Sequence, residues 1–100
     1  MKSEKVVQTE ILNYLKSIGA YSIKVVVANR KGVSDITCCV RGRYVAIEVK
    51  AENKDFRDVT KLQRLELSRC NDAGGLGFYA NNLNYVEKIL NYYILDDFLM

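Results

Sequence analysis

Asp35, Glu48 and Lys50 are the side chains whose types and spacing could carry out a reaction. Side chains alternate across an extended chain. The run from Arg43 to Lys50 therefore sends Tyr44, Ala46, Glu48 and Lys50 to one face and Val45, Ile47 and Val49 to the other. The run before it places Asp35, Thr37, Cys39 and Arg41 on one face and Ile36, Cys38 and Val40 on the opposite one. Joined by the two-residue link Arg41-Gly42, the two runs read as an antiparallel hairpin, and a suitable register brings Asp35 beside Glu48.

Two neighbouring carboxylates on a sheet otherwise rich in apolar residues repel each other unless one is protonated or a cation lies between them. The chain has no histidine, and oxygen donors without histidine or thiolate suit Mg²⁺ or Mn²⁺. The main-chain carbonyl of Val49 offers a further donor. In phosphodiester hydrolysis such an ion polarises the phosphoryl group and lowers the pKa of a water it holds, so that a nucleophile is available near neutral pH. Lys50, one step beyond Glu48 on the same face, would orient the attacking water or stabilise charge building up on the phosphate. Service as a base would require desolvation, because an unperturbed lysine titrates at about 10.4. A Glu-x-Lys in a strand is by itself most often an exposed ion pair. What points to chemistry here is the ordered set: Gly32-Val33-Ser34-Asp35, the hairpin, Glu48-Val49-Lys50, and a helix that opens Thr60-Lys61-Leu62-Gln63.

The elements that must position these residues follow from periodicity. Val7, Ile11, Tyr14, Leu15 and Ile18 recur at helical spacing over residues 4–18, with Ser3 as N-cap and Gly19 as terminator. Residues 21–28 are rich in β-branched side chains and predict a strand, closed by the turn-like Asn29-Arg30-Lys31-Gly32. The hairpin strands cover residues 35–40 and 43–51, and a polar loop covers 54–59. Thr60 caps a helix to about residue 73, with Leu62, Leu65 and the stem of Arg69 facing inward. A short strand over residues 77–80 and a helix over 83–94, carrying Val86, Ile89, Leu90 and Tyr93, complete the chain. The expected fold is α/β, of order α-β-β-β-α-β-α, with a mixed central sheet flanked by helices.

One hundred residues, 49% hydrophobic and 27% charged, suit one domain spanning 1–100. Residues 24–69 hold 11 Lys/Arg against 6 Asp/Glu, net +5, while the rest is net −2. The middle of the chain is thus the electropositive part, as phosphate contacts require. Arg30, Lys31, Arg41, Arg43, Lys54, Arg57, Lys61 and Arg64 border the expected site and are the candidates for DNA contacts. Tyr21, Tyr44 and Tyr79 read as core or sheet residues rather than stacking platforms for bases. Three cysteines without a CxxC pair suggest neither a disulfide framework nor structural zinc. No apolar run is long enough for a membrane span and the N-terminus is unlike a signal peptide, so a cytoplasmic setting is expected. The apolar C-terminal stretch, residues 92–100, is expected to contribute to a dimer interface.

These motifs resemble the VRR-NUC (virus-type replication-repair nuclease) branch of the PD-(D/E)XK superfamily, whose core is restriction-endonuclease-like. The match is carried by Gly32-Val33-Ser34-Asp35, Val40-Arg41-Gly42-Arg43, Glu48-Val49-Lys50 and Thr60-Lys61-Leu62-Gln63, over residues 10–80. The resemblance implies a Mg²⁺- or Mn²⁺-dependent endonuclease with Asp35, Glu48, Lys50 and Gln63 as catalytic residues. Metal would be held by Glu10, Asp35, Glu48 and the Val49 carbonyl. It also implies a minimal, phage-like homodimer that cuts branched DNA such as four-way (Holliday) junctions. Ser34 stands where the family has proline, which loosens the turn but leaves the Asp35 carboxylate in place. The alternatives are a non-catalytic junction-binding module of the same fold, or a nuclease acting on flaps or ordinary duplex.

Overall fold

In the computed structural model, which describes residues 1–98, helix α1 (Glu4–Ser17) is followed by strands β1 (Tyr21–Lys24), β2 (Ile36–Val40) and β3 (Arg43–Val49). Helix α2 (Lys61–Asp72), strand β4 (Leu76–Ala80) and helix α3 (Leu83–Tyr93) complete the expected order, with short 3-10 turns at Phe56–Asp58 and Leu95–Phe98. The sheet runs β1-β2-β3-β4, antiparallel except for the β3/β4 pair, which α2 joins as a crossover.

The alternation read from the sequence decides the layers. Ile36, Cys38 and Val40 of β2, with Val45, Ile47 and Val49 of β3, form a buried core with Val7, Ile11 and Leu15 of α1 and Val86 and Leu90 of α3. Thr37, Ala46 and Glu48 lie on the opposite face, where α2 packs over β3 and β4. That packing is close because β4 offers a glycine beneath the helix: a Cβ on Gly77 would lie 2.9 Å from the Leu67 carbonyl oxygen. The hairpin turn is tight, with Arg41 at φ 52° and Gly42 at φ 80°, the left-handed pair that two-residue turns require.

Several expectations are corrected. Strand β1 stops at Lys24: after Val25 donates to the Asp35 carbonyl (2.7 Å) its partner β2 has run out. Val26 and Val27, strand-like by type, are left 83% and 87% exposed in a loop. On α2, Leu62 and Leu65 are about half exposed, and the sheet-facing positions are Gln63, Glu66, Leu67 and Cys70. Tyr21 and Tyr44 are sheet residues as read, in β1 and β3, but are exposed rather than in the core. Tyr79 is partly buried and sits near Phe56 and Tyr85. In the C-terminal stretch Ile94 is buried and Leu95 packs on the chain's own core, while Tyr92 is exposed; residues 99 and 100 lie outside the described residues. No described helix is long and apolar enough to cross a membrane.

Candidate active site

The β2/β3 register pairs Ile36 with Ile47, and one further step sets Asp35 opposite Glu48. Asp35 is fixed there by two bonds. Its Oδ2 accepts from the Val49 amide at 2.8 Å, and its carbonyl accepts from Val25. Glu48 has a nearly buried side chain, 4% exposed. Its Oε2 accepts from Gln63 Nε2 at 3.0 Å and lies 3.9 Å from Lys50 Nζ. Among the described residues its buried Oε1 has no hydrogen-bond partner. Burial first, then the neighbouring Asp35 carboxyl, pushes the Glu48 carboxyl up to about 9, with Lys50 opposing. An orphaned buried carboxylate oxygen beside a second carboxylate is a place that calls for a cation.

Lys50 Nζ donates to Gln63 Oε1 at 3.0 Å. Gln63 is held in turn by a reciprocal capping box with Thr60: its amide donates to Thr60 Oγ1 (3.1 Å) and its Oε1 accepts from the Thr60 amide (3.0 Å). The glutamine that starts α2 is thus also the link between Lys50 and Glu48. Asp35, Glu48, Lys50, Gln63 and the Val49 main chain are brought together as the motif spacing anticipates.

Glu10 is not brought there. Its carboxylate pairs with Lys2 Nζ at 2.9 Å, on the exposed flank of α1. The α1 carboxylate whose charge reaches Glu48 is that of Glu4, which the sequence reading passed over. The signal was present: Glu4 and Gln8 stand four apart and continue the stripe of Ile11 and Leu15, whereas Glu10 is rotated off it. The start of α1 is pinned near the end of β3, because the Glu52 amide donates to the Lys2 carbonyl at 3.0 Å.

Of the basic candidates, several are already engaged. Arg30 binds Glu66 through Nε (3.0 and 3.1 Å) and Nη2 (2.9 Å), and Arg57 pairs with Asp55 at 2.8 Å. Arg64 donates to the Phe56 carbonyl (3.2 Å) and lies 4.1 Å over the Phe56 ring. Arg43 reaches the Gly75 carbonyl at 3.4 Å. Arg41 sits at the hairpin turn. Lys31, Lys54 and Lys61 are exposed, and Lys31 and Lys61 flank the contact between the Asp35 loop and the start of α2.

That contact is made through Gly32. Its φ is 86°, and a Cβ there would lie 2.8 Å from the carbonyl carbon and oxygen of Leu62. Gly32→Ala is expected to lower stability by about 1–3 kcal/mol and to shift the loop carrying Asp35. Thermal melting would show the first effect; an unchanged Asp35 amide shift in NMR spectra of the variant would contradict the second.

The site thus sits in a mixed α/β fold, with an acidic pair at the adjacent ends of β2 and β3, Lys50 just past β3, and α2 over that face. A solved structure described as a VRR_NUC domain superposes with a TM-score of 0.75, at 23% sequence identity, covering 93% of this chain and 99% of that one. The likeness establishes the fold. No family model matches the sequence, and no curated protein matches it.

Proposed function

We propose that this chain is a divalent-metal-dependent, structure-selective endodeoxyribonuclease that hydrolyses phosphodiester bonds in branched DNA, four-way junctions foremost. The observation that carries the reading is Glu48: a buried carboxylate with one unsatisfied oxygen, beside Asp35, with Lys50 on the same strand face. Among the described residues no three Asp, Glu, Cys or His side chains converge as a ready metal cage. The donors present, two carboxylates and the Val49 carbonyl, fit an ion that keeps several waters and completes its shell with substrate oxygens, as Mg²⁺ and Mn²⁺ do. When bound there, such an ion would supply Lewis-acid polarisation of the phosphoryl group and a nucleophile at neutral pH.

The chain's own residues do the rest. Asp35 is held rigid by the Val49 amide, so its second carboxylate oxygen is presented in a fixed direction. Gln63 orients Glu48 through Oε2 and leaves Oε1 for a ligand. Lys50, tethered to Gln63, brings a cation to where negative charge grows on the phosphoryl oxygens. Lys31 and Lys61 add exposed positive charge beside this face for phosphate contacts. Cutting a two-fold junction symmetrically asks for two copies, and the exposed Val26 and Val27 supply apolar surface for such pairing.

Labelled four-way junction, flap, single-stranded and linear duplex DNA, incubated with the protein in Mg²⁺ or Mn²⁺ and in chelator, test the reading. Metal-dependent cutting that is fastest on branched substrates is the expected result. Tight junction binding by folded protein that cuts none of the four would favour a binding module instead.

A further inference from the structure

A cavity of about 240 Å³ opens on the α2 face of the sheet, next to the acidic pair. Thr37, Ala46 and Tyr44 form its floor, Glu66 and Arg69 of α2 one wall, and Arg30 of the loop before Asp35 the other. Tyr44, Ala46 and Glu48 succeed one another on the same face of β3, so the floor runs straight into the proposed site, with Tyr44 roughly 13 Å from Glu48.

The chemistry of the cavity is that of a nucleotide. Its aromatic floor residue is 54% exposed and has no ring packed on it among the described aromatic contacts. Its rim carries two guanidiniums and one carboxylate. Glu66, whose side chain is only 10% exposed, holds Arg30 in a two-toothed pair and Arg69 Nη1 at 3.2 Å, leaving the rim one positive charge in surplus. An exposed phenol ring offers a stacking face that tolerates any base, and a guanidinium beside it suits a phosphate. A stacked base pair cannot enter a cleft closed on two sides by a helix and a loop, whereas a base outside the stack can.

We infer that this cleft receives one unpaired nucleotide of the substrate strand within a few residues of the scissile phosphate, its base against the Tyr44 ring and its phosphate facing Arg69. The inference rests on the nuclease reading for the position of the scissile bond, not for the binding itself. It narrows the substrate to DNA that can present an unpaired base beside the cut, as a branch point does where pairing ends. Glu66 is the positioning residue of the cleft, fixing both arginines without touching the nucleotide.

The test pairs substrate and protein changes. The branched DNA that the full chain cuts best is prepared with a single abasic residue at each position near the cut, and single-turnover kcat/KM is measured in Mg²⁺ for the native chain and Tyr44→Ala. One abasic position is expected to slow the native chain about tenfold. On Tyr44→Ala, itself slowed by a similar factor, that abasic substrate and the intact one should be cut equally, because the same contact has been removed from either side. An abasic penalty of the same size in both proteins would overturn the proposal, as would the lack of any penalty in the native chain. A second measurement stands apart from cleavage: a short single-stranded oligonucleotide, titrated without divalent ions, should shift the Ala46 methyl and Arg69 Nε–H signals in the native chain but not in Tyr44→Ala. Failure of these signals to move in the native chain would sink the cleft even if the enzyme cuts. Movement in a chain that cuts nothing would uphold the cleft while the nuclease reading falls.

Discussion

Lys50→Ala and Asp35→Asn should each lower single-turnover cleavage by about a hundred- to a thousandfold, with melting temperatures within a few degrees of the native chain. Asparagine is the informative replacement for Asp35. It keeps an oxygen that can accept from the Val49 amide, so the end of the β2/β3 ladder stays closed, while the charge that would hold a cation is gone. Removal of Lys50 leaves Glu48 hydrogen-bonded to Gln63 but takes away the cation that lies 3.9 Å from it. Its loss therefore falls on charge stabilisation rather than on packing. Cleavage within threefold of native by both folded variants would remove these residues from the chemistry.

The second large effect is on stability and has an unusual sign. Glu48 has its carboxyl raised in the folded chain from an ordinary 4.5 to about 9. Below pH 4.5 it is protonated in both folded and unfolded chains and costs nothing. As pH rises, the unfolded chain releases the proton while the folded chain retains it, so stability falls steadily until both are ionised above about 9. The charged and titratable neighbours that set this value are Asp35 and Glu4, which raise it, and Lys50, which lowers it. Without divalent ions, melting at pH 8.5 should lie well below that at pH 5.5, by up to about 4 kcal/mol or roughly 20 °C. A Mg²⁺ or Mn²⁺ ion that binds the ionised carboxylates reverses the trend, and its stabilisation grows with pH. Glu48→Gln should be flatter with pH, more stable than the native chain at pH 8.5 without metal, and indifferent to added Mg²⁺. Equal responses of native and Glu48→Gln chains to pH and metal would show that the carboxylate is not the strained group.

The hairpin and the acidic face it carries were legible because they depend on nearest-neighbour geometry. A two-residue turn fixes the register, the register sets Asp35 against Glu48, and strict alternation places Lys50 with Glu48. Gln63 entered through the family resemblance, and the structure supplies the local reason it reaches Glu48: a Thr-x-x-Gln box ties its side chain to the helix start, close to the end of β3. What escaped depends on distant partners. Residues 25–28 have strand propensity but no strand left to pair with. Arg30 looks like a phosphate ligand until Glu66, thirty-six residues on, occupies it. Tyr44 is a sheet residue as read, but its exposure escaped because nothing local says that α2 covers only the β3/β4 side of that face. Glu10 comes from family correspondence, with Glu4 left unweighed, although Glu4 and Gln8 continue the helical stripe of α1.

Gln63 Oε1 accepts from the Thr60 amide and from Lys50 Nζ at once, both at 3.0 Å. A single oxygen thereby caps the start of a helix and holds the Lys50 ammonium. On the nuclease reading, a Lys50 that turned toward a phosphate would give up that oxygen and leave it to the capping bond alone. The same first turn of α2 braces the Asp35 loop, through the Leu62 backbone against Gly32. The end of β3 and the start of α2, far apart in sequence, are thereby tied through one amide side chain.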